Sequence, residues 1–300
     1  MLKIAVSSRT LFHIEDGDRV FKEKGPAAFD QYMAKKEKLP LKPGTAFHLV
    51  RKLLNLNAFS RSGRLVEVVM LSRNSPGAGM RIMNSVRHYG LDIEKAAFSS
   101  GRDRFGYAKG YGVHLFLSAN AADATAAMQA GIAAAIMTPM QAEESEDSEV
   151  RIAFDGDSVL FSNEADLVYH EQGLAGFREH EVLHAAKPLP PGPFYQVLQE
   201  LHAIQRTQET SRKLLRIAVV TARGAPAHER VINTLRHWCV TVDEAVFAGG
   251  AEKGPLLKAF GADIFFDDTE KNIGSAVSSG ISSGHVPFGT GGIVAETLEA

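Results

Sequence analysis

The sequence predicts an α/β fold built as two parallel-sheet lobes from an internal duplication, with the chemistry confined to the second lobe. Three observations lead there. One pattern of residues recurs at a nearly constant spacing along the 300-residue chain. Within each copy, short apolar runs alternate with helical patterns, as parallel strands joined by crossover helices do. In the second copy the acidic residues stand directly after the apolar runs, where open sheets of this kind collect ligands.

The repeat begins at the N-terminus. Ile4-Ala5-Val6-Ser7-Ser8-Arg9 aligns with Ile152-Ala153-Phe154-Asp155-Gly156-Asp157, an offset of 148 residues. Gly25, Ala27 and Phe29 fall on Gly173, Ala175 and Phe177, and Pro40 to Gly44 fall on Pro188 to Gly192. After one inserted residue, Arg81, Asn84, Arg87, His88 and Tyr89 match Arg230, Asn233, Arg236, His237 and Trp238 at an offset of 149. Lobes are therefore expected at 1–140 and 150–300. Between them, 141–149 is acidic, polar and aperiodic, as a solvated linker is.

In the second copy the expected strands are Ile152 to Phe154, Ile217 to Val220, Ala245 to Phe247 and Ile264 to Phe266. Helices are expected at Pro193 to Ile204, Pro226 to Trp238, Pro255 to Phe260 and Lys271 to Ser279. Each of the three prolines sits in a first turn, which tolerates a missing N–H. In the first copy, Ala121 to Ala135 reads as a helix on propensity.

The strand ends supply the chemistry. Asp155-Gly156-Asp157 follows the first run, so two carboxylates on a sharp turn can share one site as nucleophile and acid–base group. Thr221, Ala222 and Arg223 follow the second, offering a hydroxyl and backbone N–H groups for a phosphoryl oxygen. The loop Gly249 to Gly254 after the third carries Lys253, able to neutralise charge at the reacting centre. Asp267 and Asp268 follow the fourth and complete an oxygen-rich pocket suited to a hard divalent ion such as magnesium.

Asp-x-Asp, Thr, Lys and Asp-Asp in this order resemble the four motifs of the haloacid dehalogenase superfamily. More narrowly, Ala153 to Ser162, Val219 to Arg223, Ala248 to Leu257 and Phe265 to Asp268 are similar to the cytosolic 5′-nucleotidase type I family. The similarity extends through Ile4 to Arg9 and Arg81 to Ser85. It implies two Rossmann-like, HAD-like lobes with a small cap, here the polar segment 163–188 serving as a lid. It further implies an Mg2+-dependent phosphatase that releases phosphate from nucleoside 5′-monophosphates such as AMP. Asp155 would be the nucleophile and Asp157 the acid and base, with Thr221 and Lys253 on the phosphoryl group. Asp267 or Asp268 would join Asp155 and the Asp157 carbonyl on the metal. The alternatives are a phosphatase for another small phosphate ester, or a nucleotide-sensing protein with negligible turnover.

Other readings compete at single positions. Asp268 is either a metal ligand or a helix cap with Thr269; Arg223 is either a phosphate contact or half of a surface ion pair. His180-Glu181-Val182-Leu183-His184 matches the zinc-protease pattern. Yet the helix stops at Pro188, and the first copy has Tyr32 and Lys36 at the aligned histidines, so a solvated helix is the rival reading. Gly289 to Gly292 reads as a loose tail. Phe12, Asn74 and Tyr107 are candidates for base recognition, with ordinary packing as the alternative.

The first lobe lacks the carboxylates: Ser7 and Arg9 stand for Asp155 and Asp157, and Ser118 and Ala119 for Asp267 and Asp268. It is expected to be catalytically silent. Ser72 and Arg104 remain in the places of Thr221 and Lys253, so with Arg9 they either hold the phosphate of a substrate or regulatory nucleotide or serve structure alone.

Composition sets the outer bounds. A net charge of −2 and a pI near 6.6 give no broad basic field for nucleic acid or anionic membranes. Cys239 is the single cysteine, which excludes an intrachain disulfide and fits a reducing compartment, so a cytoplasmic protein is expected. No run of about 18 apolar residues suggests a membrane span.

Overall fold

In the computed structural model, which describes residues 1–60, 63–139, 148–208 and 213–289, both halves of the chain feed one continuous sheet. The first half contributes β1 (Leu2–Val6), β4 (Val66–Ser72), β5 (Lys95–Phe98), β6 (Leu115–Ser118) and β7 (Ala133–Met137). Between β1 and β4 lie α1 (Ser8–Leu11), α2 (Glu15–Lys35), α3 (Phe47–Asn55) and a small ribbon of β2 (Phe12–His13) with β3 (Lys42–Pro43). The crossovers are α4 (Pro76–His88), α5 (Phe105–Tyr111) and α6 (Ala121–Gln129).

The second half repeats the plan with β8 (Val150–Phe154), β9 (Leu215–Thr221), β10 (Glu244–Phe247), β11 (Ile264–Asp267) and β12 (Ser283–His285). Its helices are α7 (Glu164–Leu183), α8 (Tyr195–Gln205), α9 (His228–His237), α10 (Lys253–Phe260) and α11 (Glu270–Ser278). The ten strands run β10-β9-β8-β11-β12-β7-β6-β1-β4-β5. Outward from the middle, each half has the same order, and every pairing is parallel except β12 with β7. There the two halves meet antiparallel, Gly284 opposite Met137 and His285 opposite Ile136.

Strands buried on both faces explain the unbroken apolar runs. One core passes through both halves, with Ile4, Leu53 and Leu117 in the same cluster as Ile152, Leu201 and Phe266. Polar ties repeat as well. Arg81 Nε donates to the Leu39 carbonyl at 3.0 Å and Arg230 Nε to the Lys187 carbonyl at 2.9 Å. Leu41 N–H donates to Ser85 Oγ at 3.0 Å, and Leu189 N–H to Thr234 Oγ1 at 2.9 Å. Both long helices break at aligned glycines, Gly25 in α2 and Gly173 in α7, with φ of 80° and 66°.

Three expectations need correction. The alanine-rich stretch 121–135 is not one helix: Gly131, at φ 79°, ends it, and Ala133 to Ala135 enter β7 between β6 and β12. Sheet pairing and burial there outweigh alanine's helix propensity. Pro193 and Pro226 lie in the turns before α8 and α9 rather than in their first helical turns, because proline's fixed φ serves a turn equally well. Gly289 is not a loose end, as the site geometry below shows, while 290–292 lie outside the described residues. So do 141–147 of the acidic stretch; Glu149 is held by the Lys52 ammonium on its carbonyl at 3.0 Å.

The seam leaves no room for side chains. A Cβ at Gly284 would lie 2.8 Å from the Phe266 ring and 2.9 Å from the Ala135 Cβ. Gly284→Ala is expected to destabilise the fold by ~1–3 kcal/mol through overpacking, read as a lower urea midpoint. An unchanged midpoint would mean the seam is not packed in this way.

Candidate active site

β8 and β11 are neighbours in register, Phe266 beside Phe154, so Asp155, just past β8, and Asp267, the last residue of β11, emerge side by side. Lys253, the first residue of α10, reaches between them, its Nζ 2.8 Å from Asp155 Oδ1 and 2.7 Å from Asp267 Oδ2. All three are buried. Asp267 is held further by the Thr269 N–H at 2.8 Å and by Asn272 Nδ2 at 3.1 and 3.2 Å. Thr221, the last residue of β9, is buried alongside. A Cβ on Gly156 would sit 3.3 Å from its hydroxyl and 3.2 Å from the Phe161 ring, which is why glycine separates the two aspartates.

Asp155 is fixed by its own turn. Its N–H donates to the Phe266 carbonyl at 2.8 Å, and its Oδ1 accepts from the Gly156 N–H at 2.6 Å. Two residues on, Ser158 adopts a left-handed φ of 60° and donates its hydroxyl to Asp166 on α7 at 2.6 Å. Gly289 closes over this turn: a Cβ there would lie 2.4 Å from Ser158 Oγ and 3.1 Å from Asp268 Oδ2. His285 Nε2 donates to the Asp268 carbonyl at 2.8 Å.

Carboxylate oxygens of Asp155, Asp267 and Asp268 lie within 4.8 Å of one another. Burial pushes the Asp155 carboxyl well above the usual range against the pull of Lys253, and Asp267 and Asp268 push it the same way. Asp268 is pushed up to about 8, by burial first and then by Asp267 and Asp166. Burial alone would lower Lys253, but Asp155 and Asp267 outweigh it and raise its pKa. Three acids crowded around one ammonium oppose one another's ionisation, and a cation among them would favour the charged forms. Asp268 is no helix cap: Thr269 precedes α11 without a side-chain cap bond.

The carboxylate of Asp157 stands outside this cluster. Arg223 grips it with two bonds, Nε to Oδ2 and Nη2 to Oδ1, both 2.7 Å. Arg223 is no surface residue; it is 3% exposed and also donates Nη1 to Glu181. Burial would lower the guanidinium's pKa, yet Asp157 and Glu181 raise it. Glu181 in turn accepts from Arg230 Nη1 at 2.8 Å, and Arg230 Nη2 reaches Glu164 at 2.9 Å. The helix α7, within 163–188, is thereby tied to the turn that carries Asp157.

This network answers the zinc-like pattern. Glu181, the would-be base, is fully engaged by two arginines. His184 Nδ1 donates to the His180 carbonyl at 2.8 Å, and His180 Nδ1 lies 3.1 Å from Glu181 Oε1. Among the described residues the aspartate trio is the one cluster of three or more potential metal ligands.

The base-recognition candidates do not assemble. Phe12 is wholly buried against Phe47 and Tyr89, with ring centroids 6.1 and 6.0 Å away, so it packs the first half's core. Tyr107 stands 58% exposed on α5. Asn74 lines a cavity of the first half. Ala222 is exposed beside Thr221. Sequence reasoning missed Asp166, Glu181 as a buried acceptor, and Arg230. Arg230 had a signal, its repeat of Arg81, whereas a carboxylate pair brought in by α7 had none.

Comparison with known proteins places the chain in a family. The family model described as 5′-nucleotidase matches residues 1–292. Human cytosolic 5′-nucleotidase 1B is 36% identical over 278 residues, covering 89% of this chain and 46% of its own length. The chain thus spans about half the length of the curated relative it matches. A solved histidinol dehydrogenase from Elizabethkingia anophelis aligns over 96% of this chain and 80% of its own at 8% identity. Its TM-score of 0.23 carries no argument.

In the absence of a cation, the folded protein holds a proton on Asp268 up to about 8, against the ordinary 3.8. Its stability therefore falls as pH rises through that window. In chelator, Asp268→Asn should raise the melting temperature over wild type at about pH 9 and leave it near wild type at about pH 4. Equal gains at both pH values would locate the effect elsewhere than in ionisation.

Proposed function

This chain belongs to the 5′-nucleotidase family, and on that premise we propose that it hydrolyses nucleoside 5′-monophosphates to nucleoside and phosphate at the Asp155 site. The observation that carries the reading is Lys253 bridging Asp155 and Asp267. That bridge presents one carboxylate oxygen in a buried, cation-stabilised position at the carboxyl ends of parallel strands. The reading also takes the two halves as duplicated lobes, 1–140 and 150–300, with 163–188 as the cap of the second. Repeated strand order and repeated polar ties support it.

Magnesium fits the donor set, because three clustered, buried carboxylates offer hard oxygen ligands. Asp155, Asp267 and Asp268 would hold it, and when bound it supplies positive charge that offsets repulsion between a carboxylate and a phosphate dianion. The residues of the chain do the rest. An oxygen of Asp155 attacks phosphorus, a bond from Asp155 to phosphorus forms, and the bond from phosphorus to the ribose 5′-oxygen breaks. Asp157, protonated and freed from one of its two Arg223 bonds, gives its proton to that oxygen. Water then attacks phosphorus, Asp157 takes the water's proton, and Asp155 departs. Lys253 and Thr221 hold the phosphoryl oxygens.

Arg223 is a positioning residue for this scheme. Its planar fork fixes the Asp157 carboxylate in one orientation and links it to Glu181 on α7, so the acid–base group and the cap move as a unit. A cytoplasmic setting accompanies the proposal; the human relative is named cytosolic, and no described helix is long and apolar enough to cross a membrane.

Phosphate release from a panel of nucleoside 5′-monophosphates and simple phosphate esters, with magnesium and with chelator, tests the reading. Turnover should require the metal and favour the nucleotides, and Asp155→Asn should lower kcat by on the order of 10³-fold or more. Turnover retained by Asp155→Asn would overturn the assignment. Arg223→Lys keeps the charge but loses the fork, and should lower kcat by ~10²-fold with KM little changed, since acid–base help is worth about that much. A rise in KM alone would make Arg223 a substrate contact instead.

A further inference from the structure

We infer that the first half holds a second anion site, which binds a phosphate ester bearing a flat apolar group without metal and does not hydrolyse it. A cavity of about 550 Å³ lies beyond the carboxyl ends of β1, β4 and β6, within the range of small-molecule sites. Its floor is formed by Ser7, Ser72 and Ser118. These stand just past β1 or at the last positions of β4 and β6, as Asp155, Thr221 and Asp267 stand on β8, β9 and β11.

The same frame therefore carries opposite charge. Where the second half has Asp155, Asp157, Asp267 and Asp268, the first has Ser7, Arg9, Ser118 and Ala119. Arg104, just before α5, occupies the place of Lys253 at the start of α10. Asp18, Asp30 and Asp123 line the cavity beside Arg9, Arg73 and Arg104, but the strand-end positions themselves carry no carboxylate to face a phosphate dianion, so no metal is needed there to admit one. Nothing remains to attack it either.

Donors already converge. Arg104 lines the cavity, is 3% exposed, and leaves its buried Nε without a hydrogen-bond partner. It holds Asp123 at 2.6 Å, and Arg73 pairs with the same acid at 3.3 Å. Hydroxyls of Ser8 and Ser72 lie 3.1 Å apart, with Asn74 Nδ2 3.3 Å from Ser8 Oγ. The N-termini of α4 and α6 open here at Ser75 and Asn120, adding the positive ends of two helices. Arg9 is half exposed and pairs with Asp18 at 2.5 Å, a screened surface contact that yields readily to a stronger anion.

The opposite wall is apolar. Phe21, Pro26 and Phe29 from α2 line it, and the Phe21 ring is 46% exposed at the edge of Phe29, with centroids 6.0 Å apart. A donor-lined floor facing an uncovered aromatic ring matches the two ends of a nucleotide: phosphate inward, base against Phe21.

Titration calorimetry of the full chain in chelator, with inorganic phosphate, AMP and adenosine, tests this. The metal-free catalytic cluster repels anions, so one site should remain, binding AMP more tightly than phosphate and adenosine least. Arg9→Ala should weaken AMP and phosphate by ~10-fold. Phe21→Ala should weaken AMP while sparing phosphate. Asp155→Asn should leave the metal-free site intact. Arg9 and Phe21 are both substantially exposed, so these variants should keep the wild-type melting temperature, and folding does not confuse the result. Absence of metal-free binding, or binding abolished by Asp155→Asn and untouched by Arg9→Ala, would overturn the inference. Hydrolysis is measured separately, so either conclusion can fail alone.

Discussion

An ammonium group enclosed between two buried carboxylates is the constraint on which the rest of the second half depends. Lys253 can stay charged at 1% exposure only because Asp155 and Asp267 lie 2.8 and 2.7 Å away. Remove any of the three and an uncompensated charge is left in the interior. The parallel pairing of β8 with β11 and the placement of α10 serve this contact, setting the ends of two strands and one helix within bonding reach. Asp268 adds a third acid beside them, its carboxyl pushed up to about 8 by burial and by Asp267 and Asp166.

A second arrangement of charge governs the turn that carries Asp157. Arg223 and Arg230 share Glu181, so the α7 helix is fastened to the floor of the site through buried guanidinium groups. Pairs of this kind add little net stability but strongly favour one geometry, because any other leaves a charge unpaired. In the proposed reaction that selectivity is directed at Asp157, whose proton must travel to a defined oxygen. Asp166, raised to about 6 by burial and then by Asp157, sits on the same helix and meets the same turn through Ser158.

The two halves show how little of a fold is committed to chemistry. Strand order, the glycine breaks in α2 and α7, and the arginine-to-carbonyl ties of Arg81 and Arg230 are shared. At the strand ends the first half has serine, arginine and alanine where the second has carboxylates, and there the buried Nε of Arg104 lacks a hydrogen-bond partner. Joining the halves through β7 and β12 leaves the carboxyl-end loops of each free to be shaped separately.

By itself the sequence determined the alternation of strand and helix, the repeat, the identity of Asp155, Thr221 and Asp267 as strand-end residues, and Lys253 on the loop after the third run. These follow from local periodicity and from where charges interrupt apolar runs. The second-half strands were legible to within a few residues because burial on both faces demands unbroken apolar stretches. Tertiary structure alone decided the single ten-stranded sheet, the strand at 133–137 inside an alanine-rich segment, and the burial of Arg223, Glu181 and Asp268. It also decided that Phe12 belongs to the core and that Gly289 lies over Ser158. The physical reason is the same in each case: which partner a polar or weakly committed residue finds depends on contacts distant in sequence. Pairing energy across β7 and β12, or between Arg223 and Glu181, leaves no periodic trace along the chain.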